Sequence, residues 1–392
     1  MTLVVTLEYN LINTFILNER MIYMNGSAGL YIHIPFCSGK CLYCDFFSKA
    51  DSKEEISTYV QHLLYKIGYY SEIYKHKKFD TIYIGGGTPS IIGTEYLAQI
   101  VIKAQDCFNL ISPEITIEMN PKSALDIDFN KLADCGVNRI SLGVQSAHEN
   151  ELKLLGRRHC NSDVIKAVEK INKAGIENIS LDLMVGISEQ TKESLIKSID
   201  FCIEQNPKHI SAYILKVEEN TPYKKLAPTL SLPDDDMQAE LYLTMQNYLA
   251  EKGYNQYEIS NFSKSGFESR HNLKYWNCDE YLGIGASAHS MMDNKRFYYP
   301  RSFEDFYNNN VVFDGTGAAA EEYIMLRLRL ADGLNLKEYE KLFGEPVPKQ
   351  CILIAKKYSK HSLTIITDEK ITLTKEGFLV SNVIIAEMLM EL

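Results

Sequence analysis

The sequence predicts an α/β fold built on a parallel sheet, on three observations. Short apolar, β-branched runs recur from Leu30 to Leu215, their starts lie 25 to 51 residues apart, and helix-period segments occupy the gaps. Strands alternating with helices make βαβ units, whose strands run parallel. Six such units can close partly into a barrel or lie open. In either form ligands gather in the loops at the carboxyl ends of the strands.

The predicted strands are Leu30–Ile34, Thr81–Ile84, Glu114–Glu118, Arg139–Val144, Asn178–Met184 and His209–Leu215. The helical segments between them include Glu54–Tyr74, Glu95–Cys107, Asp163–Ala174 and Lys192–Glu204. After position 220 the pattern changes. Pro222, Pro228 and Pro233 punctuate a linker, and Asp234-Asp235-Asp236 supplies a cap for a helix Met237–Lys252. Tyr257 to Ser290 is dense in aromatic and polar groups and holds the one tryptophan, Trp276. Helical periodicity returns at Glu321, followed by a strand pair Thr364–Ile366 and Lys370–Leu373 and a helix Lys375–Leu392, which together resemble a small winged-helix-like module. The chain thus divides into an N-terminal extension (1–28), the repeating α/β region (29–220), a linker and polar-aromatic region (221–320) and a C-terminal module (321–392).

Lysine plus arginine number 41 and aspartate plus glutamate 51, a net charge of −10 that gives a nucleic-acid partner no support. The acidic balance also makes any contact with an anionic membrane local, peripheral or routed through a partner. Nine cysteines, an odd number scattered singly outside one triad, do not form a secreted disulfide framework and fit a reduced cytosol. No run of eighteen apolar residues occurs. The extension has an apolar patch, Leu11 to Leu17, but no Lys or Arg before Arg20 and no small-residue cleavage site, so it does not read as a secretory signal. Met21 and Met24 precede the first strand and are alternative starts to Met1.

The polar oddities fall at the strand ends. Cys37, Cys41 and Cys44, spaced C-x3-C-x2-C, follow the first strand. Three thiols within eight residues can converge on one metal centre. A cubic [4Fe–4S] cluster normally takes four thiolates, so three leave one iron open to chelate an amino and a carboxylate group, as S-adenosylmethionine requires. A zinc knuckle missing a ligand, or three unrelated cysteines, is the plainer alternative. Gly85-Gly86-Gly87-Thr88-Pro89 follows strand two and allows close backbone approach to a ligand, though an ordinary βα turn has the same look. Glu118 ends strand three, where a carboxylate can accept two ribose hydroxyls or simply cap a turn. Gln145 ends strand four, with Arg157, Arg158 and His159 beyond it; an arginine fork suits a carboxylate, or a solvent-facing helix end. Asp182 sits inside an apolar run, costly unless paired. Lys216 follows strand six. If Arg270 to Trp276 is helical, His271 and Tyr275 share a face, as a packing seam or as a ligand site.

In order, Tyr31-Ile32-His33-Ile34-Pro35-Phe36-Cys37, Gly85-Gly86-Gly87-Thr88-Pro89, Glu118, Gly143-Val144-Gln145 and Asp182 resemble the radical S-adenosylmethionine proteins of the oxygen-independent coproporphyrinogen III oxidase family, from about Leu30 to the C-terminus. The resemblance implies a partial (β/α)6 radical S-adenosylmethionine barrel followed by an α+β C-terminal region. It implies that Cys37, Cys41 and Cys44 hold a [4Fe–4S] cluster, that Gly86, Gly87 and Thr88 bind the methionine moiety and Glu118 the ribose, and that Tyr31, Tyr43, Gln145, Arg157, Asp182 and Lys216 line the site. Two features depart from the oxidases. Phe46 stands where they have a further cysteine, and the N-terminal extension differs from theirs. His271-Asn272-Leu273-Lys274-Tyr275-Trp276 reads H-N-x-x-Y-W, a motif of the sister group, the heme chaperones known as HemW. That likeness implies heme as a ligand with His271, Asn272, Tyr275 and Trp276 as candidate contacts. It also implies respiratory apo-hemoproteins as recipients, an electron donor, a homodimer and a cytoplasmic location. The alternative is the oxidase itself, which decarboxylates two propionates of coproporphyrinogen III in porphyrin biosynthesis.

Overall fold

The computed structural model describes residues 26–50, 52–317 and 319–390; residues 1–25 of the N-terminal extension lie outside them. The six predicted strands are all present: β1 (Ala28–Ile34), β2 (Phe79–Gly86), β3 (Leu110–Met119), β4 (Arg139–Gln145), β5 (Asn178–Val185) and β6 (His209–Ile214). They pair in sequence order and all parallel. The helices between them begin where short polar side chains can cap them. Ser52 accepts the Glu55 N–H ahead of α1 (Lys53–Ile73), and Thr191 accepts the Ser194 N–H ahead of the later helix Lys192–Glu204.

Residues 221–320, expected as a linker and a separate polar-aromatic region, are wired into the same sheet. Asn255–Glu258 (β7) and Asn261–Ser263 (β8) form a hairpin antiparallel to β6. Tyr281–Ile284 (β9) lies parallel to β1 on its far side, adding a seventh parallel strand. His289–Met292 (β10), Lys295–Tyr298 (β11) and Val312–Thr316 (β12) continue that edge antiparallel. The strand order among the described residues is β12-β11-β10-β9-β1-β2-β3-β4-β5-β6-β8-β7, an open sheet of twelve. β9 escapes a pattern search because it has only four residues, with Gly283 in their midst.

The parallel strands alternate between two faces. Leu30, Ile32, Ile34, Ile82, Ile84, Ile115, Ile117, Ile140, Leu142, Leu181 and Ile210 are at most 1% exposed and belong to one continuous apolar core with the surrounding helices. The other face carries Tyr31, His33, Thr81, Tyr83, Thr116, Glu118, Arg139, Ser141, Ser180, Asp182, His209 and Ser211. A barrel whose interior only packs is filled with branched apolar chains; this interior is polar.

The C-terminal module holds a three-stranded antiparallel sheet, Leu334–Asn335, Lys370–Leu373 and Thr364–Ile366. The single helix expected from Lys375 is broken into Lys375–Leu379 and Ser381–Leu389, because Val380 leaves helical geometry at φ −110°, ψ 19°. Among the described residues no helix is long and apolar enough to cross a membrane.

Candidate functional site at the mouth of the barrel

The cysteine loop follows β1. Phe36–Cys37 pairs in parallel with Lys49–Ala50, which ties both ends of the loop together. Its middle is fixed by Leu42 N–H to the Leu155 carbonyl at 3.1 Å and by Tyr223 N–H to the Leu42 carbonyl at 2.9 Å. Leu42 and Tyr43 pack on Leu155, Met184, Ile187, Leu215 and Tyr223, an apolar cushion apart from the main core. The three thiols are free and half-buried. Burial pushes the Cys44 thiol up, and the charges of Cys41 and Cys37 add to it. Among the described residues no three His, Cys, Asp or Glu side chains are placed to hold one metal ion. A cubic cluster needs no such convergence, because each thiolate takes its own iron. Phe46, just past the loop, is 67% exposed.

The glycine turn after β2 packs directly on this loop. Gly87 N–H donates to the Ile34 carbonyl (2.9 Å) and Thr88 N–H to the Phe36 carbonyl (2.8 Å). Thr88 Oγ1 lies 3.4 Å from Cys37 Sγ. Gly86 has φ +115°, and a Cβ there would stand 2.5 Å from the His33 ring; at Gly87 it would stand 2.7 Å from the Phe36 carbonyl. Only glycine fits this cradle. Glu118 reaches it from β3, accepting from Tyr83 Oη (2.7 Å) and Gly86 N–H (3.1 Å). Burial raises its carboxyl above the usual range despite both donors.

Across the mouth, Arg157 Nη2 donates to Tyr43 Oη at 2.5 Å, while the buried Arg157 Nε has no partner. Gln145 has φ +69°, and its amide nitrogen lies where a Cβ on Gly143 would be, 2.8 Å away. Asp182 accepts from Ser141 Oγ at 3.0 Å and from Ser180 Oγ at 3.2 Å, and burial raises it as well. Tyr31, Tyr83, Glu118, Asp182 and Arg157 all keep part of their surface open. The residues fit the implied groups. Glycine backbone can approach a ligand, a carboxylate faces the opening, and an orphaned guanidinium N–H can take a carboxylate.

Lys216 does not join them. Its side chain is 80% exposed and pairs with Glu218 at 2.8 Å, because the strand ends at Ile214 and the chain has turned outward. The H-N-x-x-Y-W segment is also elsewhere. It forms a helix, Arg270–Trp276, at the amino ends of the strands, which is the floor of the barrel. The Arg270 and His271 N–H groups both donate to the Glu114 carboxylate at 3.2 Å. His271 is 1% exposed, with Nδ1 2.7 Å from Thr81 Oγ1 and Nε2 2.9 Å from Tyr275 Oη. Burial, helped by the Lys274 charge, pushes its imidazole down to about 3. As folded, His271 offers no open nitrogen, because both are hydrogen-bonded inside the protein. Asn272 and Trp276 are half-buried beside it.

Sequence reasoning gave no role to His33, which contacts Tyr31 Oη (2.8 Å) and the Phe47 carbonyl (3.3 Å) beneath Gly86, or to Arg139, buried on the inner face. The available signal was polar side chains at every second position of strands otherwise apolar.

The same fold and family recur among known proteins. The Radical SAM superfamily matches residues 31–202, and the HemN C-terminal domain matches 318–380. The heme chaperone HemW of Lactococcus lactis is 33% identical over 379 residues, spanning 92% of this chain and 97% of its own. This chain belongs to the HemW family. The HemW of Bacillus subtilis is 32% identical over 382 residues (92% of this chain, 99% of that one), and that of Escherichia coli 39% over 263 residues (66% and 69%). In fold, the chain is similar to the coproporphyrinogen III oxidase HemN of Escherichia coli, with a TM-score of 0.81 at 19% identity over 93% of this chain and 91% of that one. For a HemW-family chain the superfamily implies a [4Fe–4S] cluster and S-adenosylmethionine.

Proposed function

We propose that this protein is a heme chaperone that binds heme and delivers it to respiratory apo-hemoproteins, with a [4Fe–4S] cluster and S-adenosylmethionine at the barrel mouth. The observation that carries the reading is the full-length likeness to proteins named heme chaperone HemW. Cys37, Cys41 and Cys44 hold the cluster. Gly86, Gly87 and Thr88 take the methionine moiety, and Glu118 turns its carboxylate to the ribose. Tyr31, Tyr43, Gln145, Arg157 and Asp182 close the walls, and the apolar cushion under Leu42 and Tyr43 keeps water from the loop. When bound, the cluster supplies one electron to the sulfonium. We place the protein in the cytoplasm, as a homodimer that receives electrons from a separate donor and meets membranes through its recipients.

The test is anaerobic reconstitution followed by two assays: hemin titration read at the Soret band, and turnover of coproporphyrinogen III with S-adenosylmethionine and a reductant. Stable heme binding without turnover is expected. Robust turnover without heme binding would reassign the protein to the oxidase reaction, whose further cysteine is replaced here by Phe46.

A further inference from the structure

The floor of the barrel is connected to its mouth. The His271 ring stacks on Tyr83 with centroids 5.1 Å apart and planes 25° off parallel, and on Tyr31 at 6.3 Å and 30°. Tyr31 and Tyr83 stack on each other at 6.2 Å and 29°. Each tyrosine hydroxyl then ends on a mouth element. Tyr83 Oη donates to Glu118 Oε1 at 2.7 Å, and the other oxygen of that carboxylate accepts the Gly86 N–H. Tyr31 Oη meets His33 Nδ1 at 2.8 Å; His33 lies against Gly86 and reaches the Phe47 carbonyl just beyond the cysteine loop.

The helix bearing His271 is anchored to the strand beginnings on every side. Lys274 Nζ contacts the Ser27 carbonyl (2.6 Å) and Asp80 (2.7 Å), and Arg270 contacts Asp80 (3.1 Å) and the Ser112 carbonyl (2.9 Å). Tyr275 packs edge-on against Tyr281 of β9 at 4.6 Å. Gly29 has no side chain where one would collide: a Cβ there would stand 2.9 Å from the Lys274 side chain and 3.0 Å from the His271 ring. A group held this tightly can transmit position. Hydrogen bonds weaken steeply with angle, so a tilt of Tyr83 into space vacated by His271 turns the Glu118 carboxylate away from its present aim.

We infer that His271 and Tyr275 are positioning residues for S-adenosylmethionine: through the Tyr31–Tyr83 stack they set the aim of Glu118 and the height of Gly86, and they are not heme ligands. The inference rests on reading the mouth as an S-adenosylmethionine site.

The experiment measures equilibrium binding of S-adenosylmethionine and of hemin to the reconstituted full chain, with electron paramagnetic resonance of the reduced cluster as a third readout. His271→Ala is expected to weaken S-adenosylmethionine about tenfold and blunt the spectral change it causes, with hemin affinity kept within about twofold. His271→Gln, which can still reach Thr81 and Tyr275, restores most of the loss. Tyr83→Phe, which touches no floor hydrogen bond, reproduces it, and the double variant loses no more than the worse single one, because both act through one carboxylate. Strictly additive losses overturn the inference, and so does hemin affinity falling while S-adenosylmethionine binding holds. If His271→Ala does not fold, the Gln and Phe variants decide. If the wild type binds no hemin, the heme reading fails, while the S-adenosylmethionine titrations still decide whether His271 and Tyr275 position that ligand.

Discussion

The two ends of the barrel are built differently. At the mouth, glycines replace side chains, Arg157 Nε lacks a partner, and Glu118 and Asp182 face an opening. At the floor, His271 has both nitrogens engaged, the Glu114 carboxylate takes the first amides of the helix, and Lys274 and Arg270 share Asp80. Unused hydrogen-bonding capacity in a buried place is costly, and Arg157 Nε shares it with Arg139 Nε and Asn178 Oδ1 at the strand beginnings, so what sets the mouth apart is its side-chain-free glycine turn beside a carboxylate. The contrast accounts for the His271 segment lying far from the cysteines: it is a helix packed against the strand beginnings.

Three measurements bear on that contrast, beginning with the largest effect. Cys41→Ala should abolish cluster assembly, with iron content after reconstitution falling to background while circular dichroism of the fold is retained; iron equal to wild type would mean that the mouth holds no cluster. At the floor, the sign of the pH dependence is fixed by burial. His271 is held down at about 3, so the unfolded chain takes its proton first. Its contribution to stability is full above an ordinary histidine value of about 6.5 and is lost as pH falls toward 3. His33, held at about 4 by burial, acts in the same direction. Urea midpoints across that range should therefore slope less in His271→Gln than in wild type; equal slopes would mean that the imidazole is not buried neutral. The smallest effect is expected at Lys216→Ala. An exposed pair of this kind contributes little to stability, and S-adenosylmethionine affinity should not move. A clear loss of affinity there would return Lys216 to the site.

The mouth was legible in the sequence because its chemistry is local. Cys37 to Cys44 and Gly85 to Thr88 are short contiguous signatures, and each sits where a strand ends. The floor was not, because its partners are remote: His271 meets Thr81 across 190 positions and Glu114 across 157. No period or spacing joins them. Arg139 lay hidden for another reason, as a single charge at the start of an apolar run, where it reads as a strand boundary. Lys216 misled because position after a strand does not fix side-chain direction once the strand has ended. The six strands were readable from periodicity, whereas β9 has four residues and takes its place from pairing with β1.

Gly29 and His271 meet at the floor although 242 residues separate them. At synthesis rates of about 5–20 residues per second, that interval is roughly 12–50 seconds on the ribosome. For that long the six-stranded part of the sheet emerges with its base uncovered and the β9 side of β1 unpaired. Completion of the barrel thus waits on a late stretch of the message. A chain cut short before Arg270 would carry every cysteine of the loop and still have no floor.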